Sequence, residues 1–387
     1  MDLIDGNRIT LLRSGAEYFP ALEEAFDAAS REIHLETYIF AYDRTGQRIA
    51  AALCRAARRG VSTHVLVDGF GSKDLNRKLV AEMQAAGVHL RVYRPKISPW
   101  TLKRARLRRL HRKLAVTDAR TAFVGGINIL DDEDTGHGIP PRFDFAVRVE
   151  GPLVARVYPV AKRLWKLVSA TQLRARRPEP RQLVPDPTPR GNQRAAFLIR
   201  DNLKHRREIE EAYLAAIGDS RSEVLIANAY FIPGISFRRA LMDAAKRGVR
   251  VKLLLQGRPD HLLFHYASRA LYGAFLDAGI EIYEYHRSFL HAKVAVIDGH
   301  WSTVGSSNID PFSLLLAREA NVVIEDRSFA DQLRESLMGA IEQGATQLKR
   351  EGWTEQPLPV RVATWMCYGI MRFLTGVFAY GRAEEFA

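Results

Sequence analysis

Two stretches carry reactive side chains at matched spacing. His111-Arg112-Lys113 is followed by Asp118, Gly125-Gly126 and Asn128, and His291-Ala292-Lys293 by Asp298, Gly305-Ser306 and Asn308. Both read H-x-K-x4-D-x6-G-(G/S)-x-N. Leu114 to Thr117 and Val294 to Ile297 read as strands, where residues i and i+2 share a face. His111 and Lys113 should therefore project together, as should His291 and Lys293. Two His, two Lys and two Asn converging on one pocket suit a phosphoryl group. Lys113, Lys293, Asn128 and Asn308 would bind and orient phosphate oxygens. One histidine can attack phosphorus and form a phosphohistidine. The other can protonate the leaving oxygen, then take the proton of an acceptor alcohol. No metal and no cofactor are expected, because Lys, His and Asn supply the electrostatics. Asp118 and Asp298 fall where each strand turns. They are counted with the catalytic set, although bridging the loop is an equally good role for them.

The elements that position these residues are also repeated. Ser30 to Tyr38 resembles Arg221 to Tyr230, and Leu53 to Val61 resembles Leu241 to Val249. A β-branched and aromatic strand comes first, near 32–40 and 223–232. A helix follows near 47–59 and 236–247, stopped by Gly60 or Gly248. Next come an apolar strand (63–67, 251–255), a second helix and a further strand. Strands alternating with helices argue for an α/β fold with a mixed sheet flanked by helices. Residues 171–192, rich in Pro and charge, read as a linker. That divides the chain into 1–170, 193–345 and a tail, 346–387.

Composition narrows the function classes. The 387 residues are 47% apolar and 26% charged, which excludes wholesale disorder. Cys54 and Cys367 give neither a disulfide framework nor a zinc cluster. The acidic N-terminus lacks the features of a secretory signal, so the active part is expected to face the cytoplasm. The net charge is +13. It is concentrated: Arg94 to Lys113 holds nine Lys or Arg and no acid. Part of that run is an insertion. Seventeen residues separate Tyr93 from His111, against five between Tyr285 and His291. Trp100, Lys103, Arg104, Arg106, Arg108 and Arg109 in this segment are expected to face an anionic membrane. Nucleic acid is the less favoured polyanion, because apolar anchors are interleaved. Residues 153–168 read as an ordinary amphipathic helix, and 363–380 as an aromatic helix lying on a membrane surface.

The paired motifs resemble those of the phospholipase D superfamily, and the similarity runs over nearly the whole chain. Supporting stretches are Ile226 to Phe231, Ala245 to Val249, Gly257 to Asp260, Thr303 to Pro311 and Leu316 to Val322. The resemblance implies two phospholipase D-like halves, packed with pseudo-twofold symmetry so that the motifs meet at their interface. It implies that carboxylates orient the histidines in crossed fashion, Glu319 on His111 and Asp144 on His291. It makes His111 the nucleophile and His291 the acid and base. The implied reaction is phosphatidyl transfer between two phosphatidylglycerol molecules, giving cardiolipin and glycerol. The alternative is hydrolysis of a phospholipid or nucleic acid on the same scaffold. Glu36, Tyr38, Asn228 and Tyr230, at the ends of equivalent strands, are candidates to line the pocket. The expected location is peripheral, on the cytoplasmic side of the cell membrane. Both motifs lie in one chain, so catalysis requires no dimer and the oligomeric state is left open.

Overall fold

A computed structural model describes residues 1–95, 108–133, 135, 138–171, 183–201, 205–259, 262–310, 317–354 and 358–380. The first half runs β1 (Ile4–Arg13), α1 (Ser14–Ala28), β2 (Glu32–Thr37), α2 (Arg44–Arg58), β3 (Ser62–Asp68) and α3 (Arg77–Ala85). It continues β4 (His89–Tyr93), β5 (Arg109–Leu110), β6 (Lys113–Thr117), β7 (Thr121–Gly125), β8 (Phe145–Glu150) and α4 (Val154–Thr171). The second half runs β9 (Gln193–Arg200), α5 (Glu208–Asp219), β10 (Glu223–Asn228), α6 (Ile235–Lys246), β11 (Arg250–Gln256), α7 (Leu262–Arg269) and α8 (Tyr272–Asp277). Then come β12 (Glu281–Tyr285), β13 (Lys293–Ile297), β14 (Trp301–Gly305), β15 (Ala317–Glu325) and α9 (Arg327–Gly344). β16 (Ala345–Leu348), α10 (Arg350–Thr354) and α11 (Leu358–Tyr380) close the order.

The strands form one mixed sheet with two equivalent halves. The first half is ordered β4-β3-β2-β6-β7-β8-β1 and the second β12-β11-β10-β13-β14-β15-β9. They meet where β1 pairs antiparallel with β9, so the duplication becomes a pseudo-twofold arrangement. Within each half three strands are parallel and the rest antiparallel. β16 pairs with β12 and covers that edge of the second half.

The strands are apolar on both faces because both faces are covered. Leu114 and Val116 of β6 join one core with Val294 and Val296 of β13, roofed by α4 and α9. Across this core β14 packs against β7 and β8, bringing the halves face to face. Ala115 and Phe123 point the other way, into a core under α1, α2 and α3. Ala295 and Ile226 do the same under α5 and α6. The helix read at 153–168 is α4, which buries Val157, Tyr158 and Trp165 as an ordinary amphipathic helix does.

Candidate active site

Each motif histidine sits just before its strand and is stitched into the opposite half. β5 pairs in parallel with the start of β15, and the His111 N–H donates to the Arg318 carbonyl at 3.0 Å. Leu290 bridges Phe143, and the His291 N–H donates to the Phe143 carbonyl at 2.9 Å. The next residue on each partner segment is a carboxylate. Glu319 Oε1 lies 2.8 Å from His111 Nδ1, and Asp144 Oδ2 lies 2.6 Å from His291 Nδ1. With Nδ1 engaged, Nε2 is the nitrogen left for chemistry on each ring.

The lysines are placed by the same short segments. Lys113 Nζ donates to the His111 carbonyl at 2.7 Å, and Lys293 Nζ donates to the His291 carbonyl. Lys113 also lies over the Tyr38 ring, whose edge meets the His111 imidazole at 4.9 Å between centroids. Burial, aided by the charge of Lys293 and opposed by Glu319, drops the Lys113 ammonium to about 7. Burial also pushes the His111 imidazole down, against the pull of Glu319, which favours its neutral, nucleophilic form. Two buried lysines near each other favour an anion between them.

The two carboxylates differ in charge state. Burial raises the Asp144 carboxyl to about 6, despite the opposing charge of Lys293. Burial acts on Glu319 too, but His111, Lys113 and the Ser306 hydroxyl outweigh it and hold the carboxyl below its ordinary range. Ser306 Oγ donates to Glu319 Oε2 at 2.5 Å. The equivalent position in the first half is Gly126, where a Cβ would collide with the Asp144 carboxylate.

Several expected site residues have other places. Asp118 and Asp298 stand at the far ends of β6 and β13, away from the histidines. Asp118 accepts the N–H groups of Ser30, Arg31 and Glu32 and the Ser30 hydroxyl. Asp298 does the same for Arg221, Ser222 and Glu223. Both are left-handed turn residues, at φ 52° and 50°, so they anchor loops and leave the reacting set. Glu36 is not a pocket residue. Its carboxylate pairs with the Arg112 guanidinium, and both groups are fully buried. Tyr38 does stand beside His111, but Tyr230 is not its equivalent. Glu32 and Glu223 occupy the same turn contact, so Tyr38 matches Ala229, and the Tyr230 ring packs on Phe264 instead. Arg109 turns inward toward Asp68 at 3.4 Å rather than facing a membrane, and Arg108 is half-buried. Trp100, Lys103, Arg104 and Arg106 lie outside the described residues.

The asparagines are buried near the strand ends. Asn128 Oδ1 accepts the Ile39 N–H at 3.1 Å, which aims its amide nitrogen elsewhere. Asn228 Oδ1 accepts from Ile309 at 3.3 Å, while Asn228 Nδ2 and Asn308 Oδ1 are buried without a hydrogen-bond partner.

Three further contacts were not visible as motifs. Asp68 Oδ2 accepts the Leu110 N–H at 2.8 Å, and Gln256 Oε1 accepts the Leu290 N–H at 2.8 Å. Each clamps the residue preceding a histidine. The signal was present: Asp68 ends β3 and Gln256 ends β11, at equivalent places of the repeat. The third is the Ser306–Glu319 contact, made by a residue that the motif itself contains. Among the described residues Glu32, His34 and His64 have metal-ligand spacing. That cluster lies at the opposite end of β2, and Lys162 Nζ, 3.3 Å from Glu32, already supplies its cation.

Comparison with known proteins adds an independent line. The family described as "Cardiolipin synthase, PLD-like domain" matches residues 22–134 and 213–339. The chain is 42% identical over 361 residues to cardiolipin synthase B of Escherichia coli strain K12, covering 93% of this chain and 85% of that one. It is 31% identical over 362 residues to a cardiolipin synthase of Geobacillus kaustophilus, covering 92% and 70%. Its fold is similar to phosphatidylserine synthase of Haemophilus influenzae, with a TM-score of 0.68, 14% identity and coverage of 95% and 94%.

Proposed function

The chain belongs to the cardiolipin synthase family of the phospholipase D superfamily and is a phosphatidyltransferase; from that premise we propose that it joins two phosphatidylglycerol molecules. The observation that carries this reading is the crossed pair of histidine–carboxylate contacts, 2.8 and 2.6 Å, each made between halves. Two oriented imidazoles in one pocket provide a nucleophile and a proton carrier.

In the first step His111 Nε2 attacks phosphorus of the donor lipid. The bond from phosphorus to the glycerol headgroup oxygen breaks, and protonated His291 gives that oxygen its proton. Glycerol leaves and a phosphatidyl-histidine remains. In the second step His291 takes the proton of a terminal hydroxyl on a second phosphatidylglycerol. That oxygen attacks phosphorus, the P–N bond breaks, and cardiolipin leaves with both histidines restored. Lys113, Lys293 and the amides of Asn128 and Asn308 neutralise the phosphoryl oxygens throughout. Glu319 and Asp144 hold each ring in one tautomer and stabilise its charged form. The enzyme works on lipid held in a membrane, as a peripheral protein.

Product analysis with labelled phosphatidylglycerol in mixed micelles tests the reading. Cardiolipin and glycerol in equal amounts are expected. Phosphatidic acid as the main product would replace transfer by hydrolysis.

A further inference from the structure

The helix α11 has two faces, and only one is accounted for by the fold. Met371 is buried with Ile232 and Ala267 of α7, and Leu263, Phe264, Cys367 and Tyr368 pack around them. The other face is exposed. Leu358, Val362, Trp365, Met366, Ile370 and Phe373 follow a helical spacing, with Trp365 59% and Phe373 70% exposed. Leu262 of α7 is exposed as well. An exposed run of large apolar side chains on one helix marks an interaction surface.

The stripe is joined to the active site by a short path. The Ala229 N–H donates to the carbonyl of Ala292, which lies between His291 and Lys293. One residue on, the Tyr230 ring packs on Phe264 of α7 at 5.1 Å between centroids. Two residues further, Ile232 enters the cluster that holds α11. The platform therefore stands at the same end of the second half-sheet as the catalytic residues.

We propose that the exposed α11–α7 face is where this protein lies on an anionic lipid surface, so that headgroups reach His291 while acyl chains stay in the bilayer. Charge selects this occupant over a second copy. Arg269 is paired with Glu284, Arg372 is exposed two turns along from Trp365, and neither helix carries Asp or Glu. An isologous pairing would set like charges against each other, whereas an anionic bilayer complements them. No described helix is long and apolar enough to cross a membrane, so the contact is interfacial. The proposal rests on the phosphatidyl-transfer reading for why a lipid surface should face this site.

Co-sedimentation tests it with the full chain, vesicles of phosphatidylglycerol or phosphatidylcholine, and the double variant Trp365→Glu, Phe373→Glu. Both side chains are exposed, so an unchanged melting curve is expected. Wild type should pellet with phosphatidylglycerol vesicles and less with phosphatidylcholine. The double variant should need about tenfold more lipid or more for half-binding, since interfacial affinity scales with buried apolar area. Unchanged vesicle binding would overturn the proposal. So would a wild-type dimer that the variant dissociates while vesicle binding stays the same. The readout involves no turnover, so it can fail while cardiolipin synthesis stands, and the reverse.

Discussion

The two halves share a skeleton and differ in how each buried charge near its histidine is balanced. In the first half the motif's middle residue is Arg112, paired with Glu36 on the neighbouring strand. In the second half the equivalent residues are Ala292 and Ala227, both buried and uncharged. In the second half Ser306 donates to Glu319, whereas in the first half Gly126 leaves room for Asp144 and donates nothing to it from a side chain. Each difference is a matched exchange of two residues. What survives duplication is the set proposed to bind phosphate or to orient a ring: His, Lys, Asn and a carboxylate. What varies is how the charge beneath it is compensated. The result is two unlike imidazoles, one held by a carboxylate kept below its ordinary range and one by a carboxyl raised to about 6.

The largest effect should come from removing the ionised partner. Glu319→Gln keeps a hydrogen bond to His111 but favours the wrong tautomer, and about 10³–10⁴-fold in kcat should be lost, as for triad carboxylates in general. A loss under tenfold would mean that His111 is not the nucleophile.

Next is the buried ion pair. Arg112→Ala leaves Glu36 charged and alone in the core, at a cost of about 3–5 kcal/mol in denaturant unfolding. The double variant Arg112→Ala, Glu36→Ala rebuilds the alanine pair of the second half and should recover most of that loss. A double variant as unstable as the single one would show that the two alanines are no equivalent solution.

Ser306→Ala removes a hydrogen bond to a charged group, so kcat should fall about tenfold or somewhat more. The melting temperature should change little by comparison.

The last effect is on stability, and it carries a sign. Burial raises the Asp144 carboxyl to about 6 in the folded chain, against an ordinary 3.8. The folded state thus binds more protons between about pH 4 and 6, and its stability falls as pH rises through that window. Asp144→Asn has no such group. It should melt above wild type at pH 7, the gap should close toward pH 4, and activity should be lost. A constant gap across that range would contradict the raised carboxyl.

Much of this was legible in the residues. The twin motifs named His111, Lys113, His291 and Lys293, and the repeat of strand, helix and Gly stop laid out the α/β halves. The family resemblance, rather than spacing, pointed to Glu319 and Asp144, since neither lies near its histidine in the chain. What could not be read was which way a side chain faces. Glu36 alternates to the core side and meets Arg112, so proximity to a strand end misled. Tyr38 and Tyr230 looked equivalent because each closes a similar stretch, but they are one residue out of register, and a one-residue slip turns a side chain to the other face. Asp118 and Asp298 have a folding role: from the turn after one strand, each accepts three consecutive N–H groups of the connection that enters the neighbouring strand.

The central claim is that His111 carries the phosphatidyl group. Rapid quench with labelled phosphatidylglycerol, followed by peptide mapping, tests it most directly. Label is expected on the peptide containing His111 and should vanish in His111→Ala. Label on His291 alone, or cardiolipin formed with no labelled histidine at any time, would contradict the account.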